Sequence, residues 1–193
     1  LWYCKPAYAV HLFISGIRGD LGILIIWDSP RHGYHFWCYR HYERWAHYLE
    51  KRTKMKRVAC VGEAMIELSL IGEDTQVSVA GDTLNTAIYL HRTAPKLRVD
   101  YITCLGCDPF SARIFDFISQ HGLGTSRIQR IPDGSPGLYG ITTSSEGERS
   151  FTYWRNNSAA RQLFLDSDFS VLENYDAVYL SGISMAILPH AIR

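Results

Sequence analysis

The chain has 193 residues, 47% hydrophobic and 20% charged, with a formal net charge of +1. That balance supports a soluble globular domain with a core of ordinary size, here one domain with an appendage. The near-zero charge supplies no global basic field, which argues against a nucleic-acid partner chosen by electrostatics and for a small-molecule one.

Residues 1–54 differ in composition from the rest. They hold Trp2, Trp27, Trp37 and Trp45 together with His11, His32, His35, His41 and His47, and their apolar residues keep no sustained helical or strand period. No Met precedes Met55, which stands immediately before Lys56, Arg57 and the first clean strand pattern. The expectation is that Met55 is the natural start and that residues 1–54 are an atypical extension outside the native fold.

Functional readings of this segment are weak. Tyr8 to Trp27 has the length of a membrane span, but Arg18 and Asp20 sit in its middle beside Gly16, Gly19 and Gly22, and charge at bilayer depth is costly. A secretory signal would need a basic start, an unbroken apolar stretch and a small-residue cleavage site, which do not occur in that order. Around His32, His35, His41 and His47 no carboxylate or thiol spacing repeats, so no metal site is expected. The basic run Lys51 to Arg57 resembles a polyanion patch and is read as a solvated terminus.

From Arg57 the chain alternates strands and helices. Arg57 to Gly62 is a short apolar, β-branched run ending at glycine, the pattern of a buried strand. Asp82 and Thr83 precede a helical period through Leu84, Ala87, Ile88 and Leu90 that reaches Thr93 and stops at Pro95. Val99 to Leu105 reads as a second strand, broken by Gly106. Asp108 and Pro109 then supply an N-cap and a first-turn proline for a helix with an Ile114, Phe115, Ile118 stripe, ended by Gly122.

The cysteines Cys4, Cys38, Cys60, Cys104 and Cys107 are odd in number and show no repeated spacing. This argues against a secreted disulfide framework and for a reducing, cytoplasmic setting. Cys104 and Cys107 form a C-x-x-C, but no second ligand pair accompanies it and Cys104 closes an apolar strand, so a packed thiol is expected.

Further on, Gly137 to Thr143 and Arg149 to Arg155 are rich in aromatic and β-branched residues and are separated by Ser145, Glu146 and Gly147, which predicts a β-hairpin with glycine at the left-handed loop position. With Ser144 paired to Glu148, Tyr139 falls opposite Tyr153. Period-two alternation then puts Tyr139, Ile141, Phe151, Tyr153 and Arg155 on one face. Asp168 to Asn174 can form a short helix, and Ala177 to Ser181 is a further buried strand. The order predicts an α/β fold, a parallel sheet covered on both faces.

Two groups carry candidate chemistry. Arg155 offers a fork of donors suited to a carboxylate, and the phenols of Tyr139 and Tyr153 can exchange hydrogen bonds with hydroxyl and keto oxygens. The alternative is an aromatic face that packs on the core and leaves Arg155 as a surface charge. At Gly81-Asp82-Thr83-Leu84-Asn85, glycine lets a ligand approach a helix end whose N–H groups are free, and Asp82 and Asn85 can bond sugar hydroxyls. The alternative is simple N-capping by Asp82. From the residues alone both questions stay open.

The stretch Gly81 to Leu90 (GDTLNTAIYL) resembles the sugar-binding signature of the ribokinase-like (PfkB) carbohydrate kinases. It follows a V-x-x-x-G-E-x-M-I-E-L opening at Val58 to Leu68, also typical of that family, and Leu105 to Phe110 is similar to the family's L-G-x-D-x-F. The stretches GLYGI at Gly137, TYWRNNSAAR at Thr152 and YLSGISMAILP at Tyr179 together resemble the 2-keto-3-deoxygluconate kinases (2-dehydro-3-deoxygluconokinases) of enteric bacteria. The resemblance covers residues 55–193.

It implies a Rossmann-like, ribokinase-like fold with a small β-hairpin lid at about 74–82 and 137–155. It also implies a sugar site lined by Gly81, Asp82, Thr83, Leu84, Asn85, Tyr139, Tyr153, Trp154 and Arg155, with Arg155 meeting the carboxylate of a sugar acid. The family uses ATP and Mg²⁺. Its catalytic base is an Asp in a Gly-Ala-Gly-Asp loop that does not occur in this chain, so no catalytic and no metal residue is assigned. The expectation is that base and nucleotide pocket lie beyond Arg193 and that this polypeptide alone is inactive. A kinase of another sugar, such as fructose or ribose, and a non-catalytic fragment are the rival readings. A membrane partner is not expected; homo-oligomers are left open.

Overall fold

The computed structural model describes residues 10–15, 22–27, 57–71 and 74–192. In chain order its elements are strands β1 (Val10–Ser15), β2 (Gly22–Trp27), β3 (Arg57–Val61), β4 (Met65–Ile71) and β5 (Asp74–Ala80), helix α1 (Asp82–Thr93), β6 (Arg98–Ile102) and β7 (Cys104–Leu105). There follow helix α2 (Pro109–Gln120), β8 (Gln129–Arg130), β9 (Gly137–Thr143), β10 (Arg149–Trp154), β11 (Ala177–Ser181) and helix α3 (Gly182–Ile187). Short 3₁₀ turns occupy Ala159–Gln162, Ser170–Asn174 and His190–Ile192.

The main sheet has the order β2-β1-β11-β3-β6, with β11, β3 and β6 parallel. Within it β3 and β11 read as nearly unbroken apolar runs because both of their faces are buried. Val58, Cys60, Val99, Tyr101, Ala177 and Tyr179 pack under Leu84 and Leu90 of α1 and Ile114 and Ile118 of α2. The alternate residues Ala59, Val61, Ile102 and Val178 pack with Ala159, Leu163, Tyr175 and Leu188. One face is thus covered by the two long helices and the other by the 3₁₀ turns and the chain around them.

Both long helices lie as expected. α1 ends at Thr93, one residue before the turn that contains Pro95. α2 is capped by Asp108, whose side chain accepts from the N–H groups of Phe110 and Ser111, with Pro109 in the first turn. The strand expected over Val99 to Leu105 is instead two strands separated at Thr103. The edge changes partner there: β6 pairs with β3, whereas β7 pairs with β8.

Two strands also form in the segment for which no period was found. β1 pairs antiparallel with β11 and with β2. β2 is a continuous apolar run after Gly22, and β1 is apolar except for His11 and Ser15, so neither carries an alternation to detect. The stretch Tyr8 to Trp27, weighed above as a membrane span, therefore contains strands where it is described, and no helix among the described residues is long and apolar enough to cross a membrane. His32, His35, His41, His47, Met55 and the run Lys51 to Lys56 lie outside the described residues.

The expected hairpin is present with the expected register. Tyr153 pairs with Tyr139 and Phe151 with Ile141, the Ser144 N–H donates to the Glu148 carbonyl at 2.8 Å, and Gly147 takes a left-handed φ of 84°. It belongs to a larger sheet of order β10-β9-β4-β5. β4 and β5 alternate polar and apolar residues, so Ile66, Leu68, Val77 and Val79 turn to the core while Glu67, Ser69 and Ser78 share the opposite face with Tyr139.

Candidate functional site

The tip of α1 is built by close approach. Gly81 is its N-cap, and a side chain there would put Cβ 2.5 Å from the backbone carbonyl oxygen of Glu63. Only hydrogen fits. No side chain caps this helix, so its first-turn N–H groups have no side-chain acceptor. Asp82 occupies the first turn, not the cap, and its Oδ2 is buried without a hydrogen-bond partner. Thr83 is buried and bonds the Tyr101 hydroxyl at 3.0 Å, Leu84 lies in the core, and Asn85 is exposed. Of the five expected residues, Asp82 and Asn85 thus keep free side chains, and Gly81, Thr83 and Leu84 offer backbone only.

On the hairpin, the rings of Tyr139 and Tyr153 stand 5.6 Å apart, each 6.3 Å from Phe151. The Tyr139 hydroxyl donates to the Glu67 carboxylate, which also accepts from Ser78 at 3.1 Å and Ser69 at 3.3 Å. Burial, reinforced by Glu67, pushes the Tyr139 phenol well above its ordinary value. Tyr153 is 51% exposed. Trp154, 58% exposed, lies on the other face by strand alternation, its ring against Gly140, and so does not share the tyrosine surface.

Arg155 follows β10 directly. Its side chain is only 18% exposed and its Nη2 donates to the carboxylate of Glu63, itself 3% exposed. Arg155 is therefore not a loose surface charge. Burial raises the Glu63 carboxyl above its usual range, against the opposing pull of Arg155. Glu63 Oε1, Arg155 Nε and Ser158 Oγ are buried without hydrogen-bond partners, although Ser158 stands near Glu63. Orphaned buried polar atoms are uncommon, and these, like Asp82 Oδ2, call for solvent or a ligand as partner.

Glu63 ties the parts together. Its carbonyl abuts Gly81, its Oε1 would lie 2.6 Å from a Cβ at Gly137, and its Oε2 holds Arg155. Helix tip, hairpin start and hairpin end meet on this residue. Neither Glu63 nor Glu67 was assigned to the site from the sequence, although both stand in the quoted G-E-x-M-I-E-L opening. Glu67 had a signal, a lone carboxylate inside the apolar strand β4, whereas Glu63 lies in the loop before that strand and had none.

Residues 55–193 match the family described as pfkB family carbohydrate kinase. The chain belongs to that family. Among curated relatives, the 2-dehydro-3-deoxygluconokinase of Dickeya dadantii (strain 3937) is 45% identical over 144 residues, covering 72% of this chain and 46% of the relative. That of Escherichia coli (strain K12) is 46% identical over 145 residues, covering 72% and 47%. The chain thus spans about half the length of these relatives. Among solved structures, a fructokinase with bound ATP from Xylella fastidiosa superposes with a TM-score of 0.53 at 24% identity, over 61% of this chain and 36% of that one. At that identity the likeness shows the fold alone.

Among the described residues no group of three or more His, Cys, Asp or Glu side chains gathers as a metal site would require, and the sequence holds no Gly-Ala-Gly-Asp. Cys104 is buried against Gln129 at 3.5 Å with its thiol pushed up to about 12 by desolvation, whereas Cys107 is exposed, so this C-x-x-C presents no reactive thiolate pair. An open cavity of about 540 Å³ bordered by Phe169, Leu172, Tyr175 and Val178 shares no residue with the candidate site.

Proposed function

We propose that residues 55–193 form the sugar-binding portion of a 2-keto-3-deoxygluconate kinase, residues 1–54 being an extension that adds β1 and β2 to its main sheet beside β11. In this reading the whole enzyme, in the cytoplasm, transfers the γ-phosphoryl of ATP, with Mg²⁺, to the 6-hydroxyl of the sugar acid. The observation that carries the reading is the placement of Arg155: a largely buried guanidinium near the ring of Tyr153 on the hairpin, bonded to Glu63, whose carbonyl crowds Gly81.

A planar fork of donors in a confined site suits a carboxylate better than a neutral hydroxyl. The open N–H groups of the α1 tip and the unpartnered Asp82 Oδ2 suit the polyol chain. Residue identity of 45% and 46% to kinases named for this substrate supports the same choice.

Calorimetric titration of this chain with 2-keto-3-deoxygluconate, fructose and ribose tests it without requiring turnover. Binding of the acid sugar, lost in Arg155→Ala, is expected. Equal binding of all three sugars, or acid binding indifferent to Arg155→Ala, would sink the proposal.

A further inference from the structure

We propose that Glu63 is a positioning residue that sets anion selectivity: it holds Arg155 in the sugar-free protein and takes up a proton from solvent when a sugar carboxylate replaces it on the guanidinium. The inference rests on the sugar-acid reading above and adds a residue and a coupled proton to it.

The argument begins with charge balance. Glu63 and Arg155 form a neutral pair in a confined site, with side chains 3% and 18% exposed. An incoming carboxylate adds one negative charge beside the first. Two carboxylates sharing one cation in a poorly solvated site cannot both remain ionised without penalty, so one accepts a proton. Glu63 is the better acceptor, because burial already raises its carboxyl. An α-keto acid, by contrast, is a strong acid that stays ionised.

Among the described residues, the charged or titratable groups that act on Glu63 include Arg155, Arg161, in the turn Ala159–Gln162, and the Tyr101 phenol of β6, on which Asp82 also acts. Arg161 keeps its charge at any relevant pH. Tyr101 is fully buried and held well above its ordinary value, so it stays neutral. Glu63 is closely confined, its carbonyl and its Oε1 occupying the space that a Cβ would need at Gly81 and at Gly137.

A neutral sugar brings no charge and leaves the pair intact, so it gains nothing from Arg155. A sugar acid gains the guanidinium only by protonating Glu63. Selectivity and proton uptake therefore belong to one event.

Calorimetry of the full chain with 2-keto-3-deoxygluconate, in buffers of different ionisation enthalpy between about pH 5 and pH 8, reads the proton directly. Uptake of up to one proton per sugar is expected above the Glu63 pKa, with affinity falling on the order of tenfold per pH unit there. In Glu63→Gln, which keeps shape and a hydrogen-bond partner, the uptake and the slope should both vanish while acid sugars still bind. Binding of the acid by the unaltered chain with no proton uptake at any pH would overturn this inference alone, as would an unchanged slope in Glu63→Gln. Absence of any acid binding would overturn the functional reading with it.

Discussion

The carboxylate of Glu63 accepts a hydrogen bond from the guanidinium of Arg155, 92 positions later in the chain, and so fastens the end of the hairpin to the segment that leaves the main sheet. Removing one partner of such a confined pair leaves the other without compensation. Arg155→Ala is expected to lower stability by about 3 kcal/mol. The double variant Arg155→Ala/Glu63→Gln should recover part of that loss, because the stranded charge is gone. Chemical denaturation of the four proteins of the cycle checks it: additive effects would mean the pair contributes no coupling.

Two glycines separate crowding from backbone strain. At Gly81 an alanine Cβ would meet the Glu63 carbonyl at 2.5 Å, a backbone contact that no side-chain rotation relieves. Gly81→Ala should displace the α1 tip, cost about 1–3 kcal/mol and abolish sugar binding. At Gly147 a Cβ meets nothing within 4 Å, but φ is 84°. Gly147→Ala should cost about 1 kcal/mol through the left-handed conformation and leave sugar binding intact. Thermal unfolding with parallel titrations distinguishes them, and equal effects on binding would contradict the assignment of Gly81 to the site.

Tyr139 offers a test of the tyrosine surface. Its hydroxyl donates to Glu67, which keeps its bonds from Ser69 and Ser78 when that donor is removed. Tyr139→Phe is therefore expected to fold with a loss of about 1 kcal/mol. If the phenol also reaches the sugar, affinity should fall about tenfold, a loss of roughly 1.4 kcal/mol. Unchanged affinity in titration calorimetry would take Tyr139 out of the sugar contacts and leave it as a support for Glu67.

What was legible in the sequence was what local chemistry dictates. Pro95 stops α1, Asp108 and Pro109 start α2, and Gly147 sets the hairpin register that puts Tyr139 opposite Tyr153; each is decided within a few residues. The partner change at Thr103 was not legible, because it depends on where residues 124–131 return. β4 and β5 did alternate, but Glu67 in their midst reads as a surface charge until Tyr139 is placed over it. The pairing of Glu63 with Arg155 leaves no local pattern at all. Burial of Arg155, which decides between a binding group and a surface charge, comes from that distant partner.

A second buried carboxylate gives the fold its own acid limit. Asp100 is fully buried and accepts from Tyr175 at 2.8 Å, from Arg98 at 3.1 Å and from Arg57 at 3.1 Å. Burial by itself would raise its carboxyl, but these three donors together outweigh that and hold it below the usual value. A depressed carboxylate contributes stability that is present above the unfolded-state pKa of about 3.9 and is lost as pH falls through the lower folded value. Denaturation midpoints should therefore drop steeply below about pH 4 in the unaltered chain. Asp100→Asn should be less stable at neutral pH by about 1–3 kcal/mol, the arginines being partly exposed, and should lose that part of the acid dependence. Its stability curve would run parallel to the unaltered one across this range if Asp100 were not the group responsible.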